Sequence, residues 1–162
     1  MQRRTFLNLV LAGSGIFVLA GCGFRLRGVT SPAIALESLA LSGADSDLMR
    51  LASERLKAAG TRLDDDADLV LNLGNETFRE RQLGVLDSGT QERELELSAP
   101  FSVQRRDGTY LLDQQRLDVS TRFTVSDDNL LSNQDLRDEA MQQLRQQAVQ
   151  QLMDRLRSLA EE

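Results

Sequence analysis

Apolar and polar residues alternate along two neighbouring stretches in the second half of the chain. Leucine, alanine, phenylalanine and valine occupy every second position of residues 95–103, and a similar alternation runs through 117–125 after a turn sequence at 106–109. Because a period of two places successive side chains on opposite faces of a strand, these stretches predict a long antiparallel hairpin with one buried and one wet face. Pro100 cannot donate a backbone hydrogen bond, so it predicts an edge strand or a bulge at its position.

A helical period marks two other stretches. In residues 45–59 the apolar side chains recur three and four positions apart, and Gly60 is placed to end that helix. Near the end of the chain, Leu136 begins a series of apolar residues four positions apart that continues to Leu156, with Ser132 as the predicted N-cap. The other side of this long helix is rich in glutamine, for which we favour a solvated helix face.

Shorter apolar runs complete the predicted order of elements. Residues 33–42 and 68–74 each predict a strand, and the second strand is expected to run on toward Arg81. A turn sequence at 83–89 separates it from the hairpin. The resulting order predicts an α+β fold, a two-layer sandwich in which two helices cover one face of a mixed, roughly four-stranded sheet. The other face is then polar and uncovered, and it is the surface where we expect a partner.

The first 21 residues have the organisation of a secretory signal peptide. Arg3 and Arg4 precede a short apolar run, which is about 5 residues shorter than the ~20 that a membrane-spanning helix needs. The end of this region and the cysteine that follows it resemble the bacterial lipobox, in which the cysteine becomes the acylated first residue, and they read Leu19-Ala20-Gly21-Cys22. We predict a signal peptide at 1–21, a lipidated tether at 22–32 that anchors the chain to the membrane, and a single domain at 33–162.

Two features of the leader leave alternatives open. An uncleaved transmembrane anchor with an incidental cysteine is the less favoured alternative to lipidation. The arginine pair suits both the general export route, which we favour, and the twin-arginine route. Gly23 follows the cysteine, whereas lipoproteins retained in the inner membrane typically carry Asp there, so the resemblance to lipoproteins implies an outer-membrane location.

The composition excludes several classes of function. With no His and one Cys, the chain lacks the residues for histidine acid–base catalysis, for Ser-His-Asp or Cys-His nucleophiles, for an intrachain disulfide and for Cys/His zinc sites. A formal net charge of −6 argues against nucleic acid as a partner, because binding to polyphosphate needs a basic surface. The acidic run at 64–68 lacks the spaced ligands of a calcium loop and predicts a solvated turn. We expect no cofactor, no metal and no enzymatic activity.

The start of the predicted mature chain carries a family resemblance. The heptad after the cleavage site resembles the opening of the lipopolysaccharide-assembly lipoprotein family LptE, and it reads Cys22-Gly23-Phe24-Arg25-Leu26-Arg27-Gly28. The order of strand, helix ending at Gly60, glycine-containing turn and closing helix extends the resemblance over essentially the whole mature chain. It implies an α+β domain that sits as a plug inside the outer-membrane β-barrel LptD, helps that barrel fold and takes part in placing lipopolysaccharide in the outer leaflet. Barrel lumens are polar, which agrees with a polar sheet face.

The resemblance also implies basic residues near the turn between the second and third strands that meet the phosphates of lipid A. Arginine suits this role because its planar fork binds phosphate oxygens in pairs. In this chain the turn itself carries Asp87, and the nearest candidates for lipopolysaccharide binding are Arg79, Arg81 and Arg93.

The leading hypothesis is therefore a lipid-anchored, non-enzymatic lipoprotein of the outer membrane that plugs LptD from the periplasmic side. A freestanding periplasmic glycolipid-binding lipoprotein, which needs no barrel, is the first alternative. A hydrolytic lipoprotein that uses carboxylates is the second, and it is disfavoured because the chain has no His and no acid in an apolar setting.

Overall fold

The structure is a computed structural model, and it describes residues 36–85, 90–126 and 129–160. The predicted signal peptide, Cys22, the predicted tether and most of the turn predicted at 83–89 lie outside the described residues. The described elements, in chain order, are β1 (Ser38–Gly43), α1 (Asp47–Ala58), β2 (Arg62–Leu63), β3 (Leu69–Leu73), β4 (Thr77–Val85), β5 (Thr90–Arg105), β6 (Tyr110–Ser126) and α2 (Leu130–Ala160).

The six strands form one mixed sheet around the long strand β5. β6 pairs antiparallel with β5 along its length, and β3 and β4 share the other edge of β5, with β3 beside residues 101–105 and β4 beside 91–98. β1 is parallel to β3 on one side and to the short β2 on the other. The predicted α+β fold with a mixed sheet is confirmed. The sheet has six strands rather than about four, because β2 is added and the strand predicted from residue 68 onward is split.

The split between β3 and β4 explains how Pro100 fits into a central strand. The Gly74 N–H donates to the Pro100 carbonyl over 2.8 Å, so the polar groups of Pro100 point toward the gap between the two strands. The N–H that proline lacks would also point there, where no ladder partner needs it. The edge-strand alternative for Pro100 is therefore wrong, and the irregularity lies in the neighbouring strands instead.

β6 bulges opposite the same part of β5. Between the pairs Phe101–Gln115 and Val103–Leu112, one residue of β5 faces two residues of β6, and a second shift follows directly. Bulges bend a strand and redirect its side chains. The sheet is therefore irregular on both sides of one short stretch of β5.

The hydrophobic core lies between one face of the sheet and both helices. Alternate residues of β5 enter it from the sheet, and the predicted stripe of α2 enters it from the other side. Its largest fully buried side chains are Leu39, Leu48, Leu56, Leu71, Leu73, Leu95, Leu97, Leu117, Leu144, Leu152, Leu156 and Val103. Of the predicted stripe, Leu136 lies at the rim and remains 37% exposed. The glutamine-rich side of α2 faces away from the core.

Helix α2 begins earlier than its sequence predicts. Ser132 is not the N-cap, because its own backbone N–H donates to the Asn129 side chain over 3.2 Å. Asn133, in the first turn, binds both backbone groups of Ser126 at the end of β6. These contacts fix where the chain leaves the sheet, and so they start the helix at Leu130. By contrast, Gly60 ends α1 as predicted, with a φ of +92°.

Gly43 provides a test of the parallel pairing between β1 and β3. Its φ is +145°, and a Cβ at this position would lie 2.0 Å from the Leu73 carbonyl oxygen. We expect Gly43→Ala to lower the free energy of unfolding by about 2 kcal/mol or more, because the atom it meets is backbone and cannot swing away. Urea unfolding followed by circular dichroism measures this loss. Gly84→Ala is the matched control, since no atom lies within 4 Å of its added Cβ, and equal losses in the two variants would contradict the prediction.

Candidate functional site

The face of the sheet opposite the helices is not covered by any helix that the structure describes. On β5 this face carries the even-numbered residues from Glu92 to Gln104, because the odd-numbered side chains from 95 to 103 lie in the core. The strand registers bring Arg79 and Arg81 of β4, and every second residue of β6 from Arg116 onward, to the same side. We call this surface the open face.

At one end of the open face, opposite charges lie side by side across three strands. Arg81, Glu94 and Arg122 form one row, in which the Glu94 carboxylate pairs with Arg81 and lies 3.9 Å from the Arg122 guanidinium. In the next row Arg79 stands in register with Glu96. Cross-strand pairs of opposite charge stabilise a sheet by about 0.2–1 kcal/mol each. The alternation makes this end strongly polar without giving it one dominant sign of charge.

The three arginines predicted to bind lipopolysaccharide lie on two faces of the sheet. Arg79 and Arg81 are on the open face. Arg93 is on the helix-covered face, where its guanidinium donates to the Glu80 carboxylate over 2.6 Å. Since the sheet lies between them, the structure brings Arg79 and Arg81 together and separates Arg93 from both.

The edge strand β4 is held to helix α2 by two ion pairs. The Arg145 guanidinium lies 2.9 Å from the Glu76 carboxylate, and that of Arg137 lies 2.9 Å from Glu80. The spacings match, because four strand residues span about 13 Å and eight helix residues about 12 Å. Arg145 also lies over the Phe78 ring, 5.3 Å from its centroid. These contacts hold β4 in place and so fix the arginines on its other face.

The other end of the open face is indented and carries few charged residues, and beside it the Asp118 carboxylate accepts the Ser98 hydroxyl over 2.7 Å. Two adjoining clefts of about 330 and 610 Å³ meet at Pro100 and Gln114. Tyr110 and the hydroxyl groups of serine and threonine line them, and Arg116 is the one charged residue in their described lining. Their amide side chains are those of Asn72, Asn75, Gln104, Gln114 and Gln115. We call these two clefts together the amide cleft.

A third cleft, of about 900 Å³, lies beside Leu36, the first described residue. Leucines from β3, β6 and α2 line it together with Arg105 and Arg106. Arg106 is engaged by the protein itself, because its guanidinium donates to the Ala67 carbonyl over 3.2 Å. This bond ties the hairpin turn to the loop before β3.

The acidic run at 64–68 forms an exposed turn. The Asp64 carboxylate accepts the backbone N–H of Asp66 over 3.0 Å, and Asp66 lies 3.7 Å from Arg106. Within the residues that the structure describes, His, Cys, Asp and Glu form no group of three or more suited to a metal ion. The described helices also include none that is both long and apolar enough to cross a membrane.

The described fold is a two-layer α+β domain whose sheet keeps one polar face free of the helices that the structure describes. The sequence of the chain predicts acylation at its amino terminus, which is typical of a lipoprotein. The family model described as LptE, Lipopolysaccharide-assembly, matches residues 27–156, and the chain belongs to this family.

Curated relatives and solved structures agree with this membership. The LPS-assembly lipoprotein LptE of Photorhabdus laumondii is 29% identical over 155 residues, which cover 88% of this chain and 85% of that protein. The protein of the same name from Pectobacterium atrosepticum is 39% identical over 69 residues, 41% of this chain and 36% of that one.

Among solved structures, lipoprotein B from Nitrosomonas europaea has a TM-score of 0.63 at 15% identity, covering 81% of this chain and 88% of that one. The minor lipoprotein from Acinetobacter baumannii has a TM-score of 0.60 at 18% identity, covering 75% and 91%. At these identities the solved structures show the fold alone.

The family confirms the resemblance found at the start of the predicted mature chain. It is a family of lipopolysaccharide-assembly lipoproteins and not of enzymes, so the chain is a non-enzymatic protein with a role in lipopolysaccharide transport. The amide cleft is not foreseen in the sequence, because its residues are drawn from positions 72 to 116 and meet only in the folded sheet. The one local signal was Pro100, a residue that interrupts an otherwise regular strand pattern.

Glu80 makes the attachment of β4 to α2 sensitive to acid. Burial raises the pKa of Glu80, but hydrogen bonds from Arg93 and Arg137 outweigh burial and hold this pKa below its ordinary value. A carboxylate with a lowered pKa contributes stability above its unfolded pKa of about 4.3, and this stability is lost as the pH falls through the folded value.

We therefore expect Glu80→Gln to lower the melting temperature at about pH 7. The variant should also lose less melting temperature than the wild type as the pH falls from about 5 to about 3. Thermal unfolding followed by circular dichroism across this range measures both effects. Glu139→Gln, which changes an exposed glutamate of helix α2, is the control and should match the wild type. A Glu80→Gln profile parallel to that of the wild type would contradict the prediction.

Proposed function

We propose that this chain is an outer-membrane lipoprotein, acylated at Cys22, that fills the lumen of the β-barrel LptD. In this position it assists the assembly of the barrel and takes part in inserting lipopolysaccharide into the outer leaflet. Membership in the LptE family is the observation that carries the proposal. The proposed division of the chain is a signal peptide at 1–21, a tether at 22–32 and a plug domain at 33–162.

The polarity of the open face supports a place inside a pore. The lumen of an outer-membrane barrel is polar, so a plug needs polar side chains on the surfaces that meet the wall. The charged end of the open face offers arginines and carboxylates in alternation, which pair with wall groups of either sign. An apolar sheet face at this position would instead favour contact with lipid or with the apolar surface of another protein.

The helix layer supports the same arrangement from the opposite side. The outer side of α2 carries exposed glutamines, namely Gln142, Gln143, Gln146, Gln147 and Gln150. The open face of the sheet and the outer side of α2 are therefore both polar. A polar lumen accepts polar groups on both surfaces, and so does water, so the glutamines agree with enclosure in a lumen without requiring it.

Of the three arginines predicted to bind lipid A phosphates, two are placed to bind a phosphate and the third supports the strand. Arg79 and Arg81 share the open face, where a passing lipopolysaccharide molecule reaches both. Each stands opposite a carboxylate, Glu96 or Glu94, so a phosphate has to compete for the guanidinium. Arg93 is engaged by Glu80 on the other face and contributes only by holding β4 in place.

Copurification tests the plug role. The tagged full-length chain, recovered from detergent-solubilised outer membranes, is expected to bring down a β-barrel protein in about equal amount, identified by mass. Ser120→Trp places a bulky side chain on the open face, midway along β6, and we expect it to reduce the recovered barrel about tenfold, which corresponds to about 1.4 kcal/mol. Both aromatic and β-branched residues are favoured in strands, so Ser120→Thr is a control that should recover the barrel normally.

Recovery of the lipoprotein with lipopolysaccharide but without any barrel would overturn the plug role in favour of a freestanding glycolipid carrier. Equal recovery of the barrel by both Ser120 variants would exclude the open face as the surface that meets the wall. Circular dichroism of both variants establishes that each is folded.

Mass spectrometry of the mature protein tests the anchor. We expect its first residue to be Cys22, carrying two or three acyl chains, because each buried CH₂ contributes about 0.8 kcal/mol and one chain alone binds a membrane only weakly. Cys22→Ala should abolish the incorporation of labelled palmitate. An unmodified cysteine, or a mature chain that still contains residues 1–21, would contradict this part of the proposal.

A further inference from the structure

We propose that the amide cleft binds uncharged sugar residues of the lipopolysaccharide oligosaccharide, with Tyr110 as a stacking surface and Gln114 as a hydrogen-bonding group. This inference rests on the role in lipopolysaccharide transport, and it names the part of that molecule which the protein contacts. It concerns a region of the open face separate from Arg79 and Arg81.

The chemistry of the lining matches a neutral, hydroxyl-bearing ligand. A sugar hydroxyl both donates and accepts hydrogen bonds, and so does a carboxamide, through its NH₂ and its carbonyl oxygen. A carboxylate only accepts, and a guanidinium only donates. Charged residues make up 27% of the chain, yet Arg116 is the one charged residue in the described lining of the amide cleft. A phosphate site would need several cations at this position.

Tyr110 supplies the aromatic surface that such a site requires. Its side chain is 54% exposed and lines the smaller of the two clefts. A tyrosine ring offers a large, rigid contact area at low entropic cost, with a hydroxyl at one end that hydrogen-bonds to polar ligands. The C–H faces of a sugar ring pack on such a surface while its hydroxyls reach the surrounding amides.

Two departures from regular sheet structure converge on this cleft. β3 and β4 separate at residues 74–76, on one side of Pro100, and β6 bulges beside Gln114 on the other. Gly74 approaches Pro100 so closely that an added Cβ would lie 2.6 Å from the proline ring. Irregularities of this kind cost stability, and proteins retain them chiefly where a site needs a particular shape.

Contact with a barrel wall alone does not account for this shape. The charged end of the open face is built from paired charges, as a wall contact requires. The amide cleft instead consists of two open depressions, of about 330 and 610 Å³. Gln114 lines both parts, because the bulge in β6 places it at their junction.

Tyr110 is an intrinsic fluorescent reporter of binding at this site. The chain contains no Trp and a single Tyr, so its tyrosine emission arises from Tyr110 alone. The experiment titrates the full-length lipoprotein, in a zwitterionic detergent without a sugar head group, with lipopolysaccharide core oligosaccharide that has been released from lipid A and dephosphorylated. We expect a saturable change in tyrosine emission.

Variants assign the binding to particular side chains. Gln114→Ala keeps the reporter and should weaken binding about tenfold, the usual cost of one lost hydrogen bond to a polar ligand. Gln147→Ala, the same substitution on the exposed side of α2, is the control and should bind like the wild type. Calorimetry of Tyr110→Ala, which lacks the reporter, should show a similar or larger loss. Arg79→Ala combined with Arg81→Ala should leave binding of the dephosphorylated oligosaccharide unchanged.

Four results would overturn the inference. The first two are the absence of saturable binding and equal affinity in Gln114→Ala and the wild type. The third is binding that requires the phosphates and is lost with Arg79 and Arg81. The fourth is equally tight binding of maltoheptaose, which would show general sugar affinity. The plug role is judged separately, since Gln114→Ala should still recover the barrel by copurification. Failure of either test therefore leaves the other intact.

Discussion

Burial of the apolar side of β5 beneath helix α2 is the contact on which the other features of this domain depend. Leu95, Leu97 and Val103 are fully buried in that contact, and together they decide which face of the sheet is covered. A shift of one residue in the strand would exchange the two faces, so the packing of these side chains also fixes which polar residues form the open face. The packing of the core therefore also determines which residues form the candidate site.

The charges around β4 extend this arrangement beyond the hydrophobic layer. The ion pairs of Glu76 and Glu80 with helix α2 bind an edge strand that few core residues reach. On the other face of the same strand, Arg79 and Arg81 stand opposite carboxylates of β5. One strand thus joins the helix layer to the charged end of the open face, through its ladder with β5 and its ion pairs with α2.

The open face combines two kinds of surface that suit different partners. Alternating charges on paired strands give a polar surface, which fits contact with another polar surface. The amide cleft arises where three strands depart from regular geometry, and it offers neutral hydrogen-bonding groups around Pro100. The proposed barrel contact and the proposed sugar site therefore use separate parts of one sheet face.

The local elements were determined by the sequence itself, because each depends on residues close together along the chain. The alternation in residues 95–103, the turn at 106–109 and the apolar stripe of α2 are interactions over two to four positions, and each was predicted together with the face it buries. Only the tertiary structure decided the break after β3, the pairing of Arg93 with Glu80 on the face away from Arg79 and Arg81, and the assembly of the amide cleft. These features follow from the register between strands that are distant in sequence, and register is set by the packing of the whole sheet against its helices rather than by any local pattern.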